Sequence, residues 1–163
     1  MRRRHGGMAV FAAMLGAAAI AAPALAGGAG APKVRTAKSA GGPYGKVTSL
    51  HVPNGESRTG YVKVISTVGE AQDATLTTGC ILIAKRGECP IVTRWFKGKK
   101  NISGDVHTTG YEFTLRPDRP KRFKVRFKAT SDATRCIVAR VDAPPDLDGF
   151  GYFAVNGQHA CDA

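Results

Sequence analysis

The sequence lacks the residue patterns that define the common enzyme active sites. It contains no Gly-x-Ser-x-Gly, no His-Glu-x-x-His and no Gly-rich phosphate loop. No pair of carboxylates stands in an apolar stretch, so the residues needed for general acid and base catalysis are missing. These absences predict a protein without catalytic activity.

Methionines and closely spaced cysteines are also scarce, which argues against a metal site. The three methionines all lie within the first 14 residues, whereas a blue-copper site would need cysteine, histidine and methionine together. Zinc sites commonly use Cys-x-x-Cys pairs, but no such pair occurs here. His51, His107 and His159 are dispersed along the chain. We therefore predict no metal and no other cofactor.

The most apolar stretch of the chain is short and lies at the N-terminus. Residues 1–26 begin with three arginines at 2–4, continue through an apolar segment at 8–22, and end in Ala24-Leu25-Ala26. This order is typical of a cleaved export signal, and the apolar segment is shorter than the ~20 residues that span a bilayer. We predict a signal peptide over 1–26, a secreted or cell-envelope protein, and no membrane span after cleavage.

Acidic residues are few relative to basic ones. The chain has 12 Asp and Glu against 24 Lys and Arg, a formal net charge of +12. Loss of the three arginines with the signal lowers the net charge to +9. Such a balance favours acidic polymers or anionic surfaces as contacts. A plainly soluble, solvated surface is the alternative interpretation.

All four cysteines lie after the predicted signal, where export makes disulfides the default interpretation. Four cysteines allow three pairings. We favour Cys80 with Cys89 and Cys136 with Cys161, because each pair then joins positions near the ends of one predicted hairpin. Each bridge would contribute roughly 2–4 kcal/mol to stability.

Turn signals divide the rest of the chain into short strands. Residues 27–45 are rich in glycine, alanine and proline and predict a flexible linker. No helical apolar period follows, so residues 46–163 predict a single all-β domain, an antiparallel sandwich of about seven or eight strands. The predicted strands are 46–52, 60–67, 74–78, 91–96, 111–115, 121–130, 136–141 and 150–155.

The clearest strand lies at residues 121–129. Phe123, Val125, Phe127 and Ala129 alternate with Arg122, Lys124, Arg126 and Lys128. This period of two predicts one buried and one exposed face. Two prolines and an aspartate at 116–120 fit a turn, which predicts a hairpin between this strand and 111–115. Trp95 is predicted to point inward from its own strand.

The order of several short motifs resembles the immunoglobulin-like repeat modules of bacterial exported and surface proteins. The motifs are residues 60–64, 73–76, 92–98 and 101–103, followed by Leu115-Arg116-Pro117-Asp118 ahead of the alternating strand. The resemblance covers about residues 46–141. Such modules serve as spacers, adhesion units or binding platforms, so the resemblance implies an immunoglobulin-like fold and an envelope or extracellular role, but no activity.

Cations near two of the predicted strands form a candidate binding face. Outward side chains of one strand lie about 6.6 Å apart, which suits contact with a polyanion. Edge protection by outward lysines is the alternative. No aromatic residue alternates with the cations of 121–129, so we expect no specific nucleic acid. The candidate residues are Arg94, Lys97, Lys99, Lys100, Arg122, Lys124, Arg126 and Lys128.

Three hypotheses for function follow from the sequence. The first is an exported, non-catalytic structural or interaction module of the cell envelope or the extracellular space. The second is a secreted cationic protein that binds an acidic polysaccharide, an envelope polymer or another surface protein. The third is a small protease inhibitor, in which the loop closed by Cys80 and Cys89 presents Lys85-Arg86 to a trypsin-like enzyme.

Overall fold

The chain forms two β-sheets that pack against each other. The computed structural model describes residues 30–81, 89–144 and 147–162, in which ten strands and one short helix occur. The helix α1 spans Ser103–His107. The strands are β1 (Lys33–Ala37), β2 (Val47–Leu50), β3 (Ser57–Ile65), β4 (Gln72–Ile81), β5 (Ile91–Lys97), β6 (Lys100–Asn101), β7 (Tyr111–Leu115), β8 (Lys121–Ala129), β9 (Arg135–Ala143) and β10 (Leu147–Val155).

Each sheet has five strands. Sheet A has the order β1-β3-β8-β5-β6, and sheet B has the order β2-β10-β9-β4-β7. Neighbouring strands are antiparallel, except that β2 runs parallel to β10. The predicted all-β sandwich is therefore confirmed, with sheet B mixed rather than wholly antiparallel.

The layout follows the immunoglobulin-like pattern in its central strands. β1, β3, β8 and β5 take the places of strands A, B, E and D, and β4, β9 and β10 take those of C, F and G. Trp95 lies on β5 rather than on the C-like strand β4. No helix in the described ranges has the length and apolar character needed to cross a membrane.

The predicted strands are all present, and the structure adds β1 and β6. The prediction of a flexible linker over 27–45 is wrong at 33–37, where β1 pairs with β3 along its whole length. Val34, Thr36 and Ala37 are buried. Val34 and Thr36 alternate with the charged residues Lys33 and Arg35, which is the pattern of a strand with one buried face. Residues 1–26 lie outside the described ranges, so the export signal stays a prediction.

The predicted hairpin between 111–115 and 121–129 is wrong. β7 pairs with β4 in sheet B, whereas β8 pairs with β3 and β5 in sheet A. The intervening turn therefore crosses from one sheet to the other. Leu115 and Phe123 are 0% and 1% exposed, so both strands bury apolar side chains in the shared core from opposite sides.

The inner faces of the two sheets form one continuous core. The predicted alternation on β8 is confirmed, since its four apolar side chains are buried and the four cations that alternate with them, at 122, 124, 126 and 128, are exposed. Trp95 is fully buried, as predicted. Phe127 of sheet A packs edge-on against Phe153 of sheet B, with ring centroids 4.8 Å apart. A Cβ on Gly60 would lie 2.6 Å from the Phe153 ring, so this glycine makes room for the aromatic pair.

Both predicted disulfides are present. Cys80 on β4 bonds to Cys89, which stands two residues before β5, and this bridge connects sheet B to the segment that enters sheet A. The hairpin rationale fails for this pair, because β4 and β5 lie in different sheets. Cys136 on β9 bonds to Cys161, which follows β10, and here the two strands are antiparallel neighbours.

Candidate polyanion-binding face

The candidate site is built around β8, the central strand of sheet A. β8 has β3 on one side and β5 on the other, so it has no free edge. The interpretation of its lysines as edge protection is therefore wrong. Since Phe123, Val125, Phe127 and Ala129 are held in the core, the alternating backbone directs the four cations at 122, 124, 126 and 128 to the outer side of sheet A.

Neighbouring strands extend this column of cations sideways. Arg122 lies directly opposite Lys63 on β3, and Lys63 lies opposite Arg35 on β1. Further along, Arg126 lies opposite Arg94 on β5. Residues directly opposite in antiparallel strands project to the same side. We call the outward cations of sheet A the basic face; they are Lys33, Arg35, Lys63, Arg94, Arg122, Lys124, Arg126 and Lys128.

Acidic residues are absent from all five strands of sheet A. These strands carry twelve Lys and Arg and no Asp or Glu. The other outward residues of β3 that pair with β8 are Ser57, Thr59 and Tyr61, which are uncharged. The basic face therefore has no anionic group on its own strands to offset its charge.

Three of the predicted binding residues do not lie on the basic face. Lys97 is in step with Thr93 and Trp95, which point into the core, so it belongs to the inner side of sheet A. Lys100 lies directly opposite Lys97 on β6 and shares that side. Lys99 stands in the turn between them, where Gly98 has a φ of 59°.

Lys97 instead covers one end of the core. Its Nζ lies 4.8 Å from the ring centroid of Phe123 and 5.8 Å from that of Phe113. Burial, and to a smaller extent the charge of Lys121, lowers the pKa of Lys97 below its ordinary value. The ammonium group is held against aromatic faces, and it contributes to packing rather than to the basic face.

Three cations of the basic face were not predicted from the sequence. Lys33 and Arg35 fall within the segment that was predicted to be a linker, and Lys63 was counted only as part of a strand. A signal for the first two is present in Lys33-Val34-Arg35-Thr36, which alternates charged and buried residues as β8 does. The position of Lys63 depends on cross-strand register, which no local pattern reveals.

Aromatic side chains do lie among the cations, contrary to the expectation from β8 alone. Lys124 is flanked in register by Tyr61 on β3 and by Phe96 on β5. The Lys124 Nζ lies 4.8 Å from the Phe96 ring centroid, and the Lys63 Nζ lies 5.6 Å from that of Tyr44. These contacts hold two ammonium groups in place. They also occupy ring faces on which a base would otherwise stack.

The outer side of sheet B has a different character. It contains a groove with a volume of about 980 Å³ lined in part by Asp73, Glu112, Asp142 and Asp148. Arg140 forms ion pairs with Asp142 at 2.6 Å and with Asp148 at 2.9 Å. Burial and a hydrogen bond with Asp148 raise the pKa of Asp142 above its ordinary value, against the lowering influence of Arg140.

The other candidate chemistry is not assembled in the described residues. Residues 82–88, which include Lys85 and Arg86 of the inhibitor hypothesis, lie outside the described ranges. His159 pairs with Asp162 at 2.6 Å, and the Nε2 of His107 lies 3.0 Å from the backbone oxygen of Thr93. Within the part of the chain that is described, no three side chains of His, Cys, Asp or Glu converge on a possible metal position.

Comparisons with known proteins do not assign the chain to a family. No protein-family model matches it, and no curated protein matches it. Among solved structures, a family 123 glycoside hydrolase from Clostridium perfringens matches 68% of this chain with a TM-score of 0.47 and 10% identity. The chain spans only 22% of that hydrolase.

Two smaller proteins match over most of their own length. The PapD-like domain 7 of human CEP192 has a TM-score of 0.42 and 7% identity, with 93% of this chain and 94% of that one covered. A conjugative transposon lipoprotein from Bacteroides eggerthii has a TM-score of 0.40 and 12% identity, with 77% and 97% covered. TM-scores below 0.5 and identities of 7–12% do not indicate what the chain binds or catalyses.

Proposed function

We propose that the protein is an exported, non-catalytic interaction module whose basic face binds an acidic polymer. The partner would be an acidic polysaccharide or an anionic polymer of the cell envelope. One observation carries the proposal: the cations of β8 stand at the centre of a sheet whose strands contain no acidic residue.

Cations of the basic face repel each other across neighbouring strands. Like charges directly opposite on neighbouring strands are destabilising, and the basic face has three such pairs: Arg35 with Lys63, Lys63 with Arg122, and Arg94 with Arg126. A bound polyanion removes this repulsion and releases its own counterions. The free protein therefore gains from contact with a partner of opposite charge.

The same contacts favour a polymer of dispersed charge over single-stranded nucleic acid. Single-stranded nucleic-acid platforms offer open aromatic faces to successive bases. Here the Phe96 ring lies against Lys124 and the Tyr44 ring lies against Lys63. These rings position ammonium groups, which suits carboxylate, sulfate or phosphate groups along a chain.

Export is the second part of the proposal. The predicted signal over 1–26 supports it, and so do the two disulfides, which persist mainly in oxidising compartments. Fractionation of the native organism tests it directly. We expect a chain that begins near Gly27 outside the cytoplasm, and recovery of the intact leader in the cytoplasm would contradict export.

Binding is tested by retention on immobilised heparin. Reversal of three cations of the column, Arg122→Glu, Lys124→Glu and Arg126→Glu, should abolish retention at moderate salt. The matched control reverses three exposed cations outside the strands of sheet A, Lys38→Glu, Lys46→Glu and Arg116→Glu.

Both triple variants change the net charge equally, so the comparison separates the face from overall charge. The control should keep most of its retention. Equal losses in the two variants would show that net charge alone explains binding and would end the proposal. Stronger binding to single-stranded DNA than to heparin at equal salt would show that the partner class is wrong.

A further inference from the structure

One end of the basic face is concave. The depression has a volume of about 490 Å³ and is formed where the turn before β3 meets the ends of β5 and β8. Pockets of this size are large enough for a small ligand group. We call it the arginine pocket; it is lined by Gly55, Ser57, Val92, Arg94, Arg126, Lys128 and Thr130.

Three cations converge on this pocket. Arg94 and Arg126 are directly opposite in register across β5 and β8. Lys128 is two residues further along β8 on the same side, which places it about 6.6 Å away along the strand. Within residues 30–81, 89–144 and 147–162, no ion pair engages any of the three.

The acidic residues nearest in the chain are engaged elsewhere. Glu56 stands between two lining residues, but its carboxylate pairs with Arg58 at 2.6 Å. Asp132 follows the end of β8, and its Oδ1 accepts a hydrogen bond from the Asn54 backbone N–H at 2.8 Å. Among the described residues the three cations of the arginine pocket therefore have no ion-pair partner, and their charge can meet a group from outside the chain.

The walls of the pocket are fixed by backbone hydrogen bonds. Gly55, with a φ of 78°, donates its N–H to the Ala129 oxygen at 3.0 Å, which attaches the turn to the end of β8. On the other side Thr130 donates both its N–H and its hydroxyl to the Pro90 oxygen, at 2.8 and 3.0 Å. A site held in this way is already shaped before a ligand arrives, which lowers the cost of binding.

We infer that the arginine pocket binds a tetrahedral oxyanion ester, a sulfate or a terminal phosphate, carried by the polymer that lies on the basic face. This inference rests on the proposed function and names the chemistry of its partner. One guanidinium fork can satisfy both oxygens of a carboxylate. Two guanidinium groups and an ammonium group together suit an anion with three free oxygens.

The test uses inorganic anions as probes on the full exported chain. Sulfate, phosphate and acetate are titrated at constant ionic strength, and the thermal midpoint and the calorimetric affinity are measured. Sulfate or phosphate should raise the midpoint, because an anion that binds only the folded state stabilises it. Acetate should not. If only one of sulfate and phosphate raises the midpoint, that anion identifies the ester that the pocket prefers.

The decisive variants replace an arginine of the pocket by lysine, which keeps the positive charge and removes the planar guanidinium group. Arg94→Lys and Arg126→Lys should each weaken anion binding about tenfold, since lysine cannot form the bidentate contact. The matched control is Arg116→Lys, an exposed arginine outside the strands of sheet A and outside the pocket, which should bind as the unmodified protein does. An equal response to acetate, or unchanged affinity in Arg94→Lys and Arg126→Lys, would overturn the inference.

Heparin retention separates this inference from the proposed function. If the anion titrations fail while retention still depends on Arg122, Lys124 and Arg126, only the pocket is refuted. If retention is also insensitive to those residues, the proposed function fails together with the pocket.

Discussion

Both sheets contribute to one core, but their strands differ in the charge that they carry. The strands of sheet A carry twelve basic and no acidic residues, whereas those of sheet B carry two basic residues and four acidic ones. In sheet B the acidic residues Asp142 and Asp148 are bridged by Arg140, so charge is balanced locally. In sheet A no acidic residue of the strands balances the cations. The unbalanced charge lies on the outer side of sheet A, which is the surface that we propose as functional.

The largest effect should come from removal of charge on sheet A. Arg122→Gln, Lys124→Gln, Arg126→Gln and Lys128→Gln together should lower the slope of log affinity against log salt by about three, at roughly 0.7 for each contact to a flexible polyanion. The measurement is heparin or polyphosphate binding over a range of salt concentrations. As a control, Asp73→Asn with Glu112→Gln makes sheet B less acidic. It should leave the slope unchanged, and a change as large as that of the sheet A variant would remove the contrast between the faces.

The two disulfides should differ in their effect on stability. The Cys136–Cys161 bridge closes a separation of 25 residues, and the Cys80–Cys89 bridge closes one of 9. Replacement of either pair by alanine should lower the free energy of unfolding by roughly 2–4 kcal/mol, with the longer loop costing about 1 kcal/mol more. Urea denaturation of the two double variants measures the difference. A larger loss from the Cys80–Cys89 pair would mean that the covalent connection between the sheets matters more than loop length.

Contact between the inner faces can be tested at Gly60. In Gly60→Ala the new Cβ would meet the rings of Phe153 and Phe127 at 2.6 and 3.0 Å, so the core would have to shift at a cost of about 1–3 kcal/mol. Gly79→Ala is the matched control, because it too lies in a strand and its Cβ would meet nothing within 4 Å. Equal unfolding free energies for the two variants would show that the sheets do not pack as closely as described.

The smallest effect concerns the acidic side of sheet B. Because the pKa of Asp142 is raised in the folded protein, the folded state holds a proton that the unfolded chain releases between the ordinary value of 3.8 and the raised value. The free energy of unfolding should therefore fall as pH rises through that window. Asp142→Asn removes this contribution, and the difference between the two proteins should stay below about 1 kcal/mol since the side chain is 36% exposed and solvent screens its charge. Urea titrations at several pH values measure it, and a difference that grows in favour of the unmodified protein with rising pH would contradict the assignment.

Local patterns predicted eight of the ten strands and, for residues 121–129, which side each residue faces. The alternation at 121–129 predicted both the burial of Phe123 and the exposure of Arg122, because a period of two is a property of the strand itself. Export and the even cysteine count predicted disulfides, whereas the pairs were chosen from predicted hairpins, a rationale that holds only for Cys136–Cys161. β1 was missed because its five residues stand among glycine, alanine and proline, which made the segment resemble a linker.

Strand neighbours could not be predicted in the same way. The hairpin predicted between β7 and β8 is wrong because Leu115 and Phe123 are buried in the core from opposite sheets. A short stretch of sequence does not show which sheet each strand joins. The aromatic neighbours of Lys124 were missed for the same reason. Tyr61 and Phe96 lie beside Lys124 because of the register between β3, β8 and β5. That register is set by packing of the whole core.

The central claim is that the outer face of sheet A, rather than the molecule's general positive charge, contacts an acidic polymer. Titration of the isotopically labelled protein with a short heparin fragment, followed by amide chemical shifts, tests this most directly. The account predicts that the largest shifts fall on β3, β5 and β8, with β4 and β9 little affected. Shifts concentrated on β4 and β9, or spread evenly over both sheets, would contradict it.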